Sequence, residues 1–111
     1  LEHRRQRQMC IRDSSYVDHN VTIEDGVTLN IGTIIAHDTV IEKGSFIAPG
    51  CVISGNCRIS EYCFVGSNST LANNITIGKS CTIGAGSVLY KDIPNYKKIV
   101  NDHKIRVLNQ N

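Results

Sequence analysis

Tryptophan is absent from these 111 residues, aromatic residues make up only 5% and there are just two prolines. No apolar run approaches the roughly eighteen residues that a membrane-spanning helix needs. Charge of one sign is also missing, because 12 Lys and Arg face 10 Asp and Glu for a formal +2. Four of those bases (Arg4, Arg5, Arg7, Arg12) and two of the acids (Glu2, Asp13) lie in residues 1–13, so the rest of the chain is neutral. A neutral, aromatic-poor body lacks the clustered Lys and Arg on which nucleic-acid and acidic-membrane affinity rest, so neither partner is expected. Leu1–Ser14 has no apolar h-region and is not read as a signal peptide. The length allows one compact domain.

Residues 1–13 (LEHRRQRQMCIRD) do not share the pattern that follows. The run RRQRQMCIRDS resembles a translated sequencing-adapter remnant, so this lead segment is set outside the fold as non-native or disordered. The competing reading is a natural basic arm. On the remnant reading, the protein extends upstream and this chain is a C-terminal fragment.

What is present is a period of six. Val17, Ile23, Leu29, Ile35, Ile41, Ile47, Ile53, Ile59, Val65, Leu71, Ile77, Ile83 and Leu89 follow one another at six-residue steps without a break. Chance agreement is on the order of one in ten million for a chain about one quarter Val, Ile and Leu. Neither a helix nor a plain strand has this period, whereas a coiled solenoid of short strands does. Four residues after each aliphatic stands a small or β-branched residue, among them Thr33, Ser45, Cys51, Cys57, Cys63 and Cys81. Three residues after it, eleven of thirteen positions are Gly, Asn or Asp, which tolerate the left-handed backbone of a tight corner; Tyr62 and Ser80 are the exceptions. Each hexad therefore reads as a short strand (in, out, in) and a corner, with three sides and eighteen residues to a coil. Thirteen hexads make a little over four coils. The four cysteines of the small column read as core fillers rather than as a disulfide or a zinc site.

This pattern resembles the hexapeptide-repeat acyltransferase superfamily, and the resemblance covers Val17–Pro94. It implies an all-β fold, a left-handed parallel β-helix over residues 14–94, with residues 95–111 as a tail packing on or beyond the last coil. The hand comes from the resemblance alone, since parallel crossovers are ordinarily right-handed.

Within the prism, His19 and His37 stand eighteen apart at one corner. The segment from Asn30 to Gly55, NIGTIIAHDTVIEKGSFIAPGCVISG, is similar to the sialic-acid O-acetyltransferase and nucleotide-sugar N-acetyltransferase group, in which an N-x6-H-[DE] element precedes an IAPG-like run and a GN pair. The resemblance implies a bacterial, cytoplasmic enzyme that moves the acetyl group of acetyl-CoA to a hydroxyl or amine of a sugar or nucleotide-sugar. By that likeness His37 is the general base and Asp38 raises its basicity, and an imidazole suits proton removal near neutral pH. Asn30, Phe46, Gly55, Ser67 and Ala85 fall at positions that contact the donor, with the Gly55 N–H placed to receive a developing oxyanion. No metal is implied. Phe46 stands where relatives carry a second histidine, and Ile99–Lys104 (IVNDHK) replaces a VGNPAK-like turn. Outward Phe46 and Phe64 on one side, and Ile34, Val52 and Val88 on a second, read as interfaces, and the resemblance implies that the assembly they serve is a homotrimer.

Three other readings share the fold. A γ-type carbonic anhydrase needs an H-x4-H pair, which is absent. An ice-binding ladder would stack threonines, and Val40 and Arg58 interrupt Thr22 and Thr76. A non-catalytic scaffold or trimerisation domain with a degraded donor site is the principal alternative.

Overall fold

The computed structural model describes residues 10–11, 14–101 and 106–110. Among them the chain forms fifteen two-residue strands, from β1 (Cys10–Ile11) through β14 (Val88–Leu89) to β15 (Lys98–Ile99), with no helix. Every pairing is parallel, and the strands make three flat faces of six, five and four strands that the chain visits in that order. The result is a left-handed parallel β-helix of about five turns. The sequence pattern gave a little over four, because one strand lies upstream of Val17 and one beyond Leu89. β1 pairs with Thr28–Leu29 inside the lead segment that the pattern set outside the fold; the other residues of that segment lie outside those described. At the far end Ile99 packs against the core and Lys98 pairs with Thr82.

Short strands stack this way because alternate side chains point to opposite faces. In nearly every strand the first residue is outward and the second buried. Eleven of the thirteen aliphatics are fully buried at 0%, and only Val17 (7%) and Leu89 (8%), at the two ends of the column, see solvent. Corners follow the expected column: Asn20, Asp38, Asn56, Asn68 and Asn74 all have φ between 56° and 66°. Tyr62 and Ser80 take the same left-handed conformation (φ 58° and 56°). The Tyr62 ring lies flat across Gly44, in the space a side chain there would fill.

The small inward column has more to do than fill space. Ser45 Oγ donates to the carbonyl fifteen residues ahead, Ser60, at 2.9 Å, and Thr39 and Ser69 do the same to Ser54 and Gly84. The thiols follow suit: Cys51 to Gly66 (3.1 Å), Cys57 to Ala72 (3.2 Å) and Cys63 to Gly78 (3.0 Å). Burial pushes the Cys63 thiol up to about 11, so it stays protonated and can donate. Cys51, Cys57, Cys63 and Cys81 are free and buried.

The eighteen-residue coil fails once. Ile93 pairs with Ile77 and Lys98 with Thr82, both sixteen residues on. Asp92, expected to turn the corner above Asn74, does not adopt positive φ, and the next left-handed corner is Tyr96 (φ 61°), whose N–H donates to the Lys79 carbonyl above Ser80. Ile93 therefore sits in the large aliphatic column, not in the small one. The thiol of Cys81 accordingly reaches the Pro94 carbonyl thirteen residues ahead.

Candidate active site

The corner leaving the five-stranded face carries a column of His19, His37, Gly55 and Asn73 at eighteen-residue steps. Asp38 holds the left-handed position (φ 59°), which aims its carboxylate back at the preceding ring. His37 Nδ1 lies 2.9 Å from Asp38 Oδ2, both side chains being about half exposed. The hydrogen bond with His37 draws the Asp38 carboxyl below its usual range, against partial desolvation and with help from the Asn20 side chain. An ionised carboxylate only accepts, so Nδ1 donates and the lone pair of the neutral ring is on Nε2.

Gly55 lies against that nitrogen. A Cβ there would stand 2.5 Å from His37 Nε2 and 2.6 Å from Cε1, so the ring reaches its place only over a bare α-carbon. The Gly55 N–H was expected to be open for an oxyanion. It donates instead to Asn73 Oδ1 at 3.0 Å. One step further round the corner, Asn56 Nδ2 donates to Asn74 Oδ1 at 2.8 Å. These side chains reach a partner one coil away, at a spacing that marks them only once the coil length is known.

The remaining candidates are elsewhere on the prism. Asn30, Ser67 and Ala85 belong to the opposite corner of the five-stranded face, with the strand Ile34–Ile35 between Asn30 and His37. Asn30 Nδ2 donates to the Ile47 carbonyl at 2.9 Å and its own carbonyl accepts from Ser15 Oγ, so it serves the backbone rather than the histidine. The Ser67 carbonyl takes the Gly86 N–H at 2.8 Å, and the Ala85 carbonyl takes the Asn101 amide. Phe46 is on the six-stranded face, stacked on Phe64 with ring centroids 5.4 Å apart and planes 10° apart. A single chain thus assembles His37, Asp38 and Gly55 and leaves Asn30, Ser67, Ala85 and Phe46 apart from them. Among the described residues, no group of three or more His, Cys, Asp or Glu gathers to hold a metal.

The sequence patterns pointed to this corner through His37, set His19 one coil away at the same corner, and missed Asn73. Asn73 closes the Gly55 amide. Below, the His19 ring is stacked under that of His37 with centroids 5.8 Å apart and planes 15° apart, and it has its own aspartate, Asp18, at 2.9 Å.

Residues 11–55 and 56–91 match the family described as bacterial transferase hexapeptide (six repeats). No curated protein matches by sequence. Among solved structures, the acetyltransferase domain of PglB from Neisseria gonorrhoeae superposes with a TM-score of 0.79 at 26% identity, over 87% of this chain and 49% of that one. Perosamine N-acetyltransferase from Caulobacter crescentus, in complex with CoA and GDP-perosamine, superposes with 0.66 at 19% identity, over 88% and 52%. Serine acetyltransferase from Neisseria gonorrhoeae gives 0.59 at 24%, over 86% and 40%. The chain spans about half the length of the first two structures.

Proposed function

The chain belongs to the bacterial transferase hexapeptide family, and from that premise we propose that it is an acetyl-CoA-dependent acetyltransferase domain acting on a sugar or nucleotide-sugar in the bacterial cytoplasm. The observation that carries this reading is the His37–Asp38 pair at 2.9 Å, which leaves Nε2 as the basic nitrogen at a half-exposed corner. In the reaction, Nε2 takes the proton from the acceptor amine or hydroxyl as that group attacks the thioester carbonyl, and CoA leaves as the thiol. Asp38 fixes the tautomer and balances the imidazolium that forms.

The donor fits the other corner of the same face. Ser67 and Ala85 carry small side chains that suit the passage of a thin pantetheine arm along that edge, where their carbonyls are already engaged by Gly86 and Asn101. The two corners belong to opposite ends of one face, so a complete site needs two copies of the chain, each giving one corner. Outward Tyr16, Ile34 and Val88 on that face, and Phe46 and Phe64 on the next, supply apolar surface for such a contact. The assembly we propose is a homotrimer.

One observation favours the scaffold reading instead: the Gly55 amide is already satisfied by Asn73, so an oxyanion donor must come from elsewhere. Calorimetry of acetyl-CoA with the whole chain and with His37→Ala separates the two readings. Binding by both, with acetyl transfer to GDP-perosamine or another amino or hydroxy sugar lost only in the variant, supports the enzyme. A folded oligomer that binds no acetyl-CoA establishes the scaffold.

A further inference from the structure

Asp18, His19 and Asn20 form, one coil below, the counterpart of the corner that carries His37 and Asp38, with the aspartate before its histidine and Asn20 at the place of Asp38. His19 is held by Asp18 as His37 is held by Asp38, each through Nδ1 at 2.9 Å. Contacts between the two coils gather on the upper dyad. The Asp38 N–H donates to the His19 carbonyl at 3.2 Å, and the Asn20 side chain helps hold the Asp38 carboxyl below its usual range. The His19 ring stacks under the His37 ring, while the bare α-carbon of Gly55 closes on its upper side.

Nearly parallel rings carry their nitrogens in parallel planes. Neither N–H then points at the other ring's lone pair, so this arrangement is no path for a proton. It is a slot. Its floor is a flat imidazole, its roof a glycine, and its far wall the aspartate that fixes Nδ1. An imidazole with a free χ2 would swing out of that plane, and orientation of the base is a large part of its effect.

We propose that His19 is a positioning residue, whose flat ring holds the His37 imidazole against Gly55 with Nε2 in its working direction. The catalytic part of this inference rests on the reading of His37 as the base; the geometric part does not. It requires flatness at residue 19 and no proton exchange there, so phenylalanine should replace histidine.

The test uses the full chain with labelled histidine and glycine, and reads the NMR cross-peak between the His37 ring proton Hε1 and the Gly55 α-protons. In His19→Ala the cross-peak is expected to weaken severalfold. The kcat for acetyl transfer from acetyl-CoA to GDP-perosamine should fall about tenfold with KM for acetyl-CoA unchanged. His19→Phe should restore both. An undiminished cross-peak in His19→Ala overturns the proposal, and so does a His19→Phe variant that behaves like His19→Ala. If the cross-peak responds as expected while the wild-type chain transfers no acetyl group, the acetyltransferase reading falls and the positioning role stands.

Discussion

The Cys51 thiol donates to the Gly66 carbonyl at 3.1 Å, in the place that Ser45 fills with a hydroxyl toward Ser60. The same side-chain site also accepts: the Cys63 N–H reaches Ser45 Oγ at 3.1 Å, and the Lys97 N–H reaches Cys81 Sγ at 3.4 Å. Sulfur and oxygen thus serve the same two hydrogen-bonding roles inside the prism. Cys63→Ser keeps the donor, whereas Cys63→Val leaves the Gly78 carbonyl unpaired. Urea denaturation should show the serine variant within about 1 kcal/mol of wild type and the valine variant destabilised by about 1–3 kcal/mol. Equal loss in both would show that packing, not the hydrogen bond, sets the requirement.

The raised Cys63 thiol gives a pH prediction with a definite sign. Its folded value is about 11 against an ordinary 9.0. Between those values the unfolded chain loses the proton and the folded chain keeps it. Stability is therefore whole below about pH 9 and declines as pH rises toward 11. Denaturation midpoints at pH 8 and pH 10.5 check this, and Cys63→Ser should reduce the difference, the part that remains coming from Cys51 and Cys57, whose thiols burial also pushes up.

Gly55→Ala puts a methyl group where the His37 ring lies. The ring is the end of a flexible side chain at a half-exposed corner, so it moves and the fold survives, with a stability change below about 1 kcal/mol. Acetyl transfer should fall at least about tenfold while acetyl-CoA binding persists. Loss of binding with intact transfer per bound molecule would place Gly55 in the donor groove instead.

Asp38→Asn separates backbone from charge. Asparagine tolerates the left-handed φ of 59°, so melting should be little changed. Its amide can still meet Nδ1, now favouring the other tautomer, and kcat should drop by at least about 100-fold. Because Asp38 is held below the usual carboxylate range, its contribution is present above that range and is lost only as pH falls through the lowered value. A carboxyl-carbon NMR titration in which the Asp38 midpoint lies below the ordinary aspartate range agrees with that direction.

Most of the fold was legible because the code is one-dimensional: an aliphatic every sixth position, a left-handed corner three residues later. Val17 to Leu89 follow it and all are buried. It misled at Asp92 and Ile93, where corner chemistry at Asp92 gave way to the pairing of Ile93 with Ile77. An aliphatic gains more from the core column than an aspartate does from a turn. It also started too late at Val17, since Cys10–Ile11 already pairs with Thr28–Leu29. At the candidate site the histidine and its aspartate are adjacent in sequence and were visible. The eighteen-residue coil also set His19 and His37 at one corner, but the stacking of their rings and the Asn73 bond to Gly55 are side-chain contacts between coils that leave no local pattern. Ser67, Ala85 and Asn30 were grouped with His37 by likeness, and the three-sided winding puts them at another corner.

The shortened turn between Leu89 and Ile93 bears on how such a molecule avoids growing. A stack of identical coils is an endless template, since each upper rim offers the lower rim of any other copy a matching row of amides and carbonyls. Sixteen residues around the last circuit put Lys98 above Thr82 and Pro94 above Gly78, and leave Val88 without a strand above it. Pro94 has no amide to offer, Lys98 presents a charge, and the three sides of the rim no longer lie at one height. An eighteen-residue coil arriving end-on meets this rim out of phase, so the two missing residues act as a stop against fibre formation.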